Sequence, residues 1–116
     1  MTELIEKPIK VADEHYLLKI KCESTDSEAG QFINLKTTKN TDPLIRRPFS
    51  IYNHYDNIIE IIIRVIGKGT DLISKFDTGE IDMLGPLGKG FTITENKNIL
   101  LIGGGVGNAP LYYLGK

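Results

Sequence analysis

Cysteine is almost missing from this chain of 116 residues, and tryptophan is missing altogether. A single Cys22 excludes an intrachain disulfide, and it excludes a four-cysteine zinc or iron–sulfur site built by this chain alone. Such economy fits a reducing compartment, so a cytoplasmic setting is expected. Net charge is also nearly absent. Lys and Arg number 14 against 15 Asp and Glu, a formal −1, so no global field draws the chain to nucleic acid or to an anionic membrane. Any anion site must therefore be local. No segment approaches the ~18 apolar residues that a spanning helix needs. The opening "MTELIEKPIKVADEHY" lacks the basic start and apolar stretch of a secretory leader. The expectation is a soluble chain with no nucleic-acid or membrane partner, long enough for one domain with a core and too short for two ordinary ones.

What is present is a series of short strand patterns. "HYLLKIKC" alternates, with Tyr16, Leu18, Ile20 and Cys22 on one side and His15, Leu17, Lys19 and Lys21 on the other. Cys22 falls on the apolar face and reads as a buried core thiol. "STDSEAG" reads as a turn, "QFINLKT" as a second strand, and "TTKNTDP" as a loop ended by Pro43. "RPFSIYN", a tight turn "HYDN" and the long strand "NIIEIIIRVIG" follow, then a helical piece, a strand "EIDMLG", a glycine-rich loop "GPLGKGF" and a short strand "FTIT". Many short strands with little helix point to a closed or nearly closed antiparallel barrel. After Glu95 the character changes. "NILLIGGGVGNAP" is a continuous apolar run ending in glycines, the pattern of a buried parallel strand feeding a helix, with Pro110 suited to the first helical turn. Residues 1–95 are thus expected to form the barrel, and residues 96–116 the start of an incomplete second domain.

Three local features ask for a ligand. In "NIIEIIIRVIG" the odd positions Ile59, Ile61, Ile63 and Val65 fill the barrel, while Arg64 stands among isoleucines on the other face. It is either a solvated charge snorkelling past Ile62 and Ile66 or a cation held against something flat. "GKGTDLISKF" sets Gly67 and Gly69 where the backbone can lie close to a ligand and Thr70 where a helix N-cap belongs. That pattern is an anion site or an ordinary capped helix. "RRPFS" extends the backbone before Pro48, so that Arg47 offers a planar fork, Phe49 a ring and Ser50 a small donor; a basic loop entering a strand would look the same. His15 and His54 read as surface residues.

Taken together, "RPFS" at 47–50 resembles the R-x-[Y/F]-[S/T] flavin motif of the ferredoxin reductase superfamily. "GT" at 69–70 resembles its pyrophosphate turn, and "LIGGGVGNAPL" the opening of its pyridine nucleotide domain. Within that superfamily, "RRPFSI", "RVIGKGT" and "LGPLGKGF" are similar to the electron-transfer subunits of NAD-dependent dihydroorotate dehydrogenases, from Ala29 onward. The resemblance implies a mainly β fold, a six-stranded antiparallel Greek-key barrel with one short helix, followed by the first strand and glycine loop of an α/β nucleotide-binding domain. It implies FAD against Arg47, Pro48, Phe49, Ser50, Ile62, Ile63, Arg64, Gly69 and Thr70, and a nicotinamide dinucleotide site begun by Gly103, Gly104, Gly105 and Gly107. The glycine spacing departs from G-x-G-x-x-G, because Asn108 holds the sixth place.

The function so implied is an oxidoreductase component of pyrimidine biosynthesis. It would carry electrons between NAD and a dihydroorotate dehydrogenase catalytic subunit in a hetero-oligomer, through FAD and the family's [2Fe-2S] centre. This chain lacks the cysteines for that centre and has no general acid or base to be sought. Phe49 stands where the superfamily commonly has Tyr, which removes a phenol hydrogen bond and keeps a stacking ring. The chain alone is expected not to accept hydride from NADH. A flavin reductase subunit serving another ferredoxin- or sulfur-linked enzyme, and a barrel binding module without flavin, are the alternatives.

Overall fold

The structure, a computed structural model, describes residues 2–23, 25–36, 46–92 and 98–115. Strands β1 (Thr2–Leu4), β2 (Ile9–Ala12), β3 (His15–Cys22), β4 (Phe32–Leu35), β5 (Arg47–Tyr55) and β6 (Ile58–Arg64) precede a short helix, α1 (Lys68–Ser74). Strands β7 (Gly79–Glu80) and β8 (Met83–Leu87) follow, then a 3-10 turn (Gly105–Asn108) that runs into helix α2 (Ala109–Gly115). All pairings are antiparallel, in the order β7-β1-β3-β6-β5-β4-β8, with β1 and β2 end to end along one edge of β3.

The two ends of that path are the same stretch of chain. Only Ile81 and Asp82 separate β7 from β8. The Ile81 N–H donates to Thr2 O at 3.1 Å, while Asp82 O accepts from the Lys36 N–H at 3.0 Å. The segment leaves β1 and joins β4 within two residues, closing the sheet. Counting β7 with β8 as one bent strand and β2 as an extension of β1, the barrel has six staves. Because β4, β5 and β6 are successive neighbours and β3 returns beside β6, the order is that of a Greek key. The six-stranded antiparallel barrel that the resemblance implies is the observed one, but its staves include β1 and β2, which the sequence pattern did not mark as strands.

The interior follows from period-two alternation. Leu18, Ile20 and Cys22 of β3, Ile33 and Leu35 of β4, Ile51 of β5 and Ile59, Ile61 and Ile63 of β6 are all buried. Each such aliphatic side chain contributes about 1.5–3 kcal/mol by leaving water. Ile73 of α1 completes the cluster, with Phe76 packed against it, so the helix closes one end of the barrel. Cys22 is the core thiol expected, and burial pushes its pKa up, partly countered by a hydrogen bond with Thr25.

Several boundaries differ from the sequence reading. The "HYDN" turn is only Asp56 and Asn57, both at positive φ, a conformation short polar side chains tolerate; His54 and Tyr55 remain paired with Ile59 and Ile58. "EIDMLG" is two strands because the chain changes neighbours at Ile81. Gly85, Pro86 and Leu87 belong to β8 rather than to a loop. Phe91 and Thr92 are not in a strand, and the rest of "FTIT", the loop 37–43 with Pro43 and the boundary at residues 95–96 lie outside the described residues. "NILLIG" is no buried strand either. Ile99, Leu100 and Ile102 are exposed, because no described strand lies alongside to take their backbone hydrogen bonds. Pro110 does sit in the first turn of α2.

Candidate functional site

The β5–β6 hairpin brings its two free ends together, which puts Arg47 and Arg64 at the same end of the barrel, and α1 begins four residues after Arg64. Arg47 lies opposite Leu35 in the β4–β5 register, on the inward side at the barrel mouth. Its guanidinium rests on the first turn of α1. A Cβ added at Gly69 would stand 2.7 Å from Arg47 Nε and 3.2 Å from Cζ, so this approach requires glycine. The flavin-type strand motif and the glycine-threonine turn are therefore in direct contact. Thr70 is not the N-cap expected from the sequence. Gly67 holds that place, and the Thr70 hydroxyl, at the third helical position, accepts from the N–H groups of Ile66 at 2.9 Å and Gly67 at 3.2 Å. Its oxygen closes the turn from inside the helix, because the glycine pair lets the helix begin earlier.

On the outer wall, directly opposed residues share a face, so Leu17 with Ile62 and His15 with Arg64 point away from the core. Above them is a gap of about 270 Å³, walled on the barrel side by Val11, Ala12, His15, Tyr52 and Ile62. Gly105, Val106, Asn108 and Ala109 form the opposite wall. A space of this size takes a ring system rather than a whole dinucleotide. Arg64, the register partner of His15, is exposed on the same outer face and is not itself one of the residues walling the gap.

The remaining candidates divide. Pro48 is exposed and Ser50 half-buried, opposite Asn34 and Phe32. Phe49 pairs with the buried Ile33 and packs against the core, so its ring turns inward instead of standing ready for stacking. The Ile63 side chain is wholly in the core, which leaves only its main chain for a ligand. Gly103, Gly104, Gly105 and Gly107 are exposed. Gly105 has φ 56°, and the space where a Gly103 side chain would go is filled by Asn108 and Leu111. Asn108 donates from Nδ2 to Gly105 O at 3.2 Å, so the sixth-position asparagine braces the turn from within.

Sequence reasoning missed the aromatic and polar contacts that set α2 on the barrel. Tyr52 is the extra residue of a bulge, since Ile51 opposes Ile61 while Asn53 opposes Glu60, and its ring stacks on Tyr112. Burial raises the Tyr52 phenol pKa, and Tyr112 and the Glu60 carboxylate raise it further. Glu60 is itself buried, accepting from Asn53 Nδ2 at 3.2 Å and the Tyr55 hydroxyl at 3.3 Å. The histidines are not the plain surface residues expected. Both are half-buried, His15 with Nδ1 2.6 Å from Asp13 O and His54 with Nδ1 2.5 Å from Ser27 Oγ. Tyr113 meets the same serine. Only the tyrosine-rich "LYYLG" hinted at this docking. Among the described residues, no group of three or more His, Cys, Asp or Glu could hold a metal, and no helix is long and apolar enough to cross a membrane.

No family model matches the chain. Curated relatives do. The Fusobacterium nucleatum dihydroorotate dehydrogenase B (NAD(+)) electron transfer subunit is 36% identical over 120 residues, covering 97% of this chain and 46% of the relative. The subunit of the same description from Bacillus pumilus is 43% identical over 115 residues, covering 92% and 45%. The chain thus spans about half the length of the curated relatives it matches. Among solved structures, an NADH-dependent reduced ferredoxin-NADP oxidoreductase, described for flavin-based electron bifurcation, superposes with a TM-score of 0.82. It is 30% identical, covering 95% of this chain and 41% of that one.

Proposed function

The chain belongs to the family of dihydroorotate dehydrogenase B (NAD(+)) electron transfer subunits, and from that premise we propose that it binds FAD and serves as the flavin-holding part of such a subunit. The observation that carries the proposal is the seating of Arg47 on Gly69 at the open end of the β5–β6 hairpin. A guanidinium held at the barrel mouth suits a pyrophosphate, because its planar fork matches two phosphate oxygens, and Arg64 on the outer face of the same hairpin end would lie toward the ring side of the cofactor. A buried glycine below lets the anion approach the backbone as closely as the arginine does.

The gap on the outer wall supplies the second half of the fit. Ile62 and Val106 face each other across a largely apolar slot suited to a flat ring, and Ser50 offers a hydroxyl to a ring nitrogen. Ile63 would contribute through its main chain alone, and Pro48 and Phe49 by shaping the strand rather than by stacking. A bound flavin supplies two-electron and one-electron transfer, which no side chain here can do. The chain's own residues bind, orient and screen. Residues 1–95 form this flavin domain in the proposal. Residues 96–116, with Gly103, Gly104, Gly105 and Gly107, begin the NAD-binding part. The proposed partner is a dihydroorotate dehydrogenase catalytic subunit in a hetero-oligomer. The family's [2Fe-2S] centre would need cysteines that this sequence does not have.

The test is direct. The chain is mixed with excess FAD and passed over gel filtration, and the flavin band near ~450 nm is read against protein. Near-stoichiometric FAD is expected, with FMN retained less because it lacks the pyrophosphate. Elution of the protein free of either flavin would sink the reading.

A further inference from the structure

Ser27, His54 and Tyr113 come from a loop, a strand and the last helix, and they meet in one half-buried knot. The Tyr113 hydroxyl donates to Ser27 O at 2.8 Å. That uses its only proton. The contact between Ser27 Oγ and the Tyr113 oxygen, at 3.0 Å, must then be donated by the serine. With the serine proton so placed, the 2.5 Å contact to His54 Nδ1 can only be donated by the histidine. With the opposite tautomer the serine proton goes to Nδ1 and the single Tyr113 proton can serve only one of Ser27 O and Ser27 Oγ, so only the Nδ1–H arrangement satisfies all three contacts.

The geometry points to a directional hydrogen-bond chain, His54 Nδ1–H to Ser27 to Tyr113, that positions α2 and with it the far wall of the ring-sized gap. Tyr113 and Ala109 are four residues apart and share one face of the helix. Ala109 is buried and lines the gap. Anchoring Tyr113 therefore fixes where Ala109 and the Gly105–Asn108 turn stand relative to Ile62 and Tyr52. These three residues are positioning residues. The chain of bonds belongs to the apo protein, and only its consequence for ligand affinity rests on the proposed function.

Hydrogen exchange on the 116-residue chain without ligand tests the latch. Tyr113→Phe keeps the ring and removes both hydroxyl contacts. The α2 amides should lose about tenfold in protection while those of β3 and β6 keep theirs. Unchanged α2 protection overturns the latch. His54→Asn keeps a donor near the Nδ1 position and should preserve protection, whereas His54→Asp cannot donate and should lose it. Equal behaviour of the two overturns the direction of the chain. Nitrogen-15 correlation spectra of the wild type, which need no variant to fold, should show His54 protonated at Nδ1, and a proton on Nε2 alone overturns the assignment. Finally, Tyr113→Phe should retain less FAD than wild type. Reduced α2 protection with unchanged FAD retention overturns the positioning role while leaving the flavin site intact. A wild type that retains no FAD counts against the proposed function, and the exchange and nitrogen spectra still decide the latch.

Discussion

Tyr52 and Tyr112 stack with ring centroids 4.8 Å apart and planes 16° from parallel, tying a strand bulge to the last helix. Charging the Tyr52 phenol would place an anion between that ring and the buried Glu60. Its pKa is raised above the ordinary 10.0 by burial first, then by Tyr112 and Glu60. Tyr55 is raised by burial first and then chiefly by Glu60. The folded state holds these protons more tightly than the unfolded chain does. The stability they contribute is therefore complete below pH ~10 and lost as pH rises through the folded values. Urea midpoints from about pH 9 to about pH 11 should fall more gently in Tyr52→Phe and Tyr55→Phe than in wild type. Parallel curves would contradict the assignment.

The Arg47–Gly69 contact predicts a change of sign with background. Glycine inside a helix costs about 0.5–1 kcal/mol relative to alanine. In wild type, Gly69→Ala should forfeit that gain by displacing the guanidinium, and should release FAD. With Arg47→Ala already in place the obstruction is gone, so the same change should stabilise by roughly 0.5–1 kcal/mol. Denaturant curves of the four proteins measure the coupling, and additivity would show that the two residues do not constrain each other. For flavin retention, Arg47→Lys should fall between wild type and Arg47→Ala, since it keeps the charge and loses the fork.

Neighbouring isoleucines on β6 should behave oppositely. Ile63→Ala opens a cavity in the core and should cost about 2–5 kcal/mol. Ile62→Ala only widens the outer gap, so it should cost less and mainly weaken FAD retention. Thermal melts with flavin titration separate them.

Thr70 supplies an acceptor to two N–H groups at the start of α1. Thr70→Ala should cost about 1 kcal/mol even without flavin, and Thr70→Ser should restore most of it. Equal urea midpoints for all three proteins would remove the hydroxyl from the helix start.

Hydride transfer needs nicotinamide held about 3–3.5 Å from the acceptor atom. Here the glycine turn is braced by Asn108, and no described strand pairs with residues 98–102. The FAD-loaded 116-residue chain should be reduced by NADH no faster than free flavin, while dithionite reduces it fully. Stopped-flow bleaching of the flavin band checks this. Fast, saturable reduction would mean that the nucleotide site is functional in this chain.

The interior was legible because one face of β3 and one face of β6 are apolar at every second position, and alternation is a local signal. Cys22, Ile59, Ile61 and Ile63 could be assigned from it without knowing any neighbour. The Arg47 and Gly69 motifs were legible one by one; their contact was not, since it depends on how hairpin and helix fold onto one barrel end. The direction of the Phe49 ring was hard to read for a related reason. Its sequence motif carries an aromatic type, while its pairing with Ile33 decides which way the ring points. The Tyr52 bulge, the break at Ile81 and the Ser27–His54–Tyr113 knot arise from register and long-range packing, which leave little trace in composition.

Closure of the barrel at Ile81 and Asp82 also dictates an order of events. Thr2 finds one of its two neighbours only 79 residues further along the chain, so β1 cannot be enclosed until the last barrel segment has emerged from the ribosome. Until then the growing sheet has two open margins, at β1 and at β4, each an invitation to pair with a foreign strand. Such distant pairing raises the contact order, and folding should be slow for a protein of this size. A single two-residue crossing removes both margins in one step.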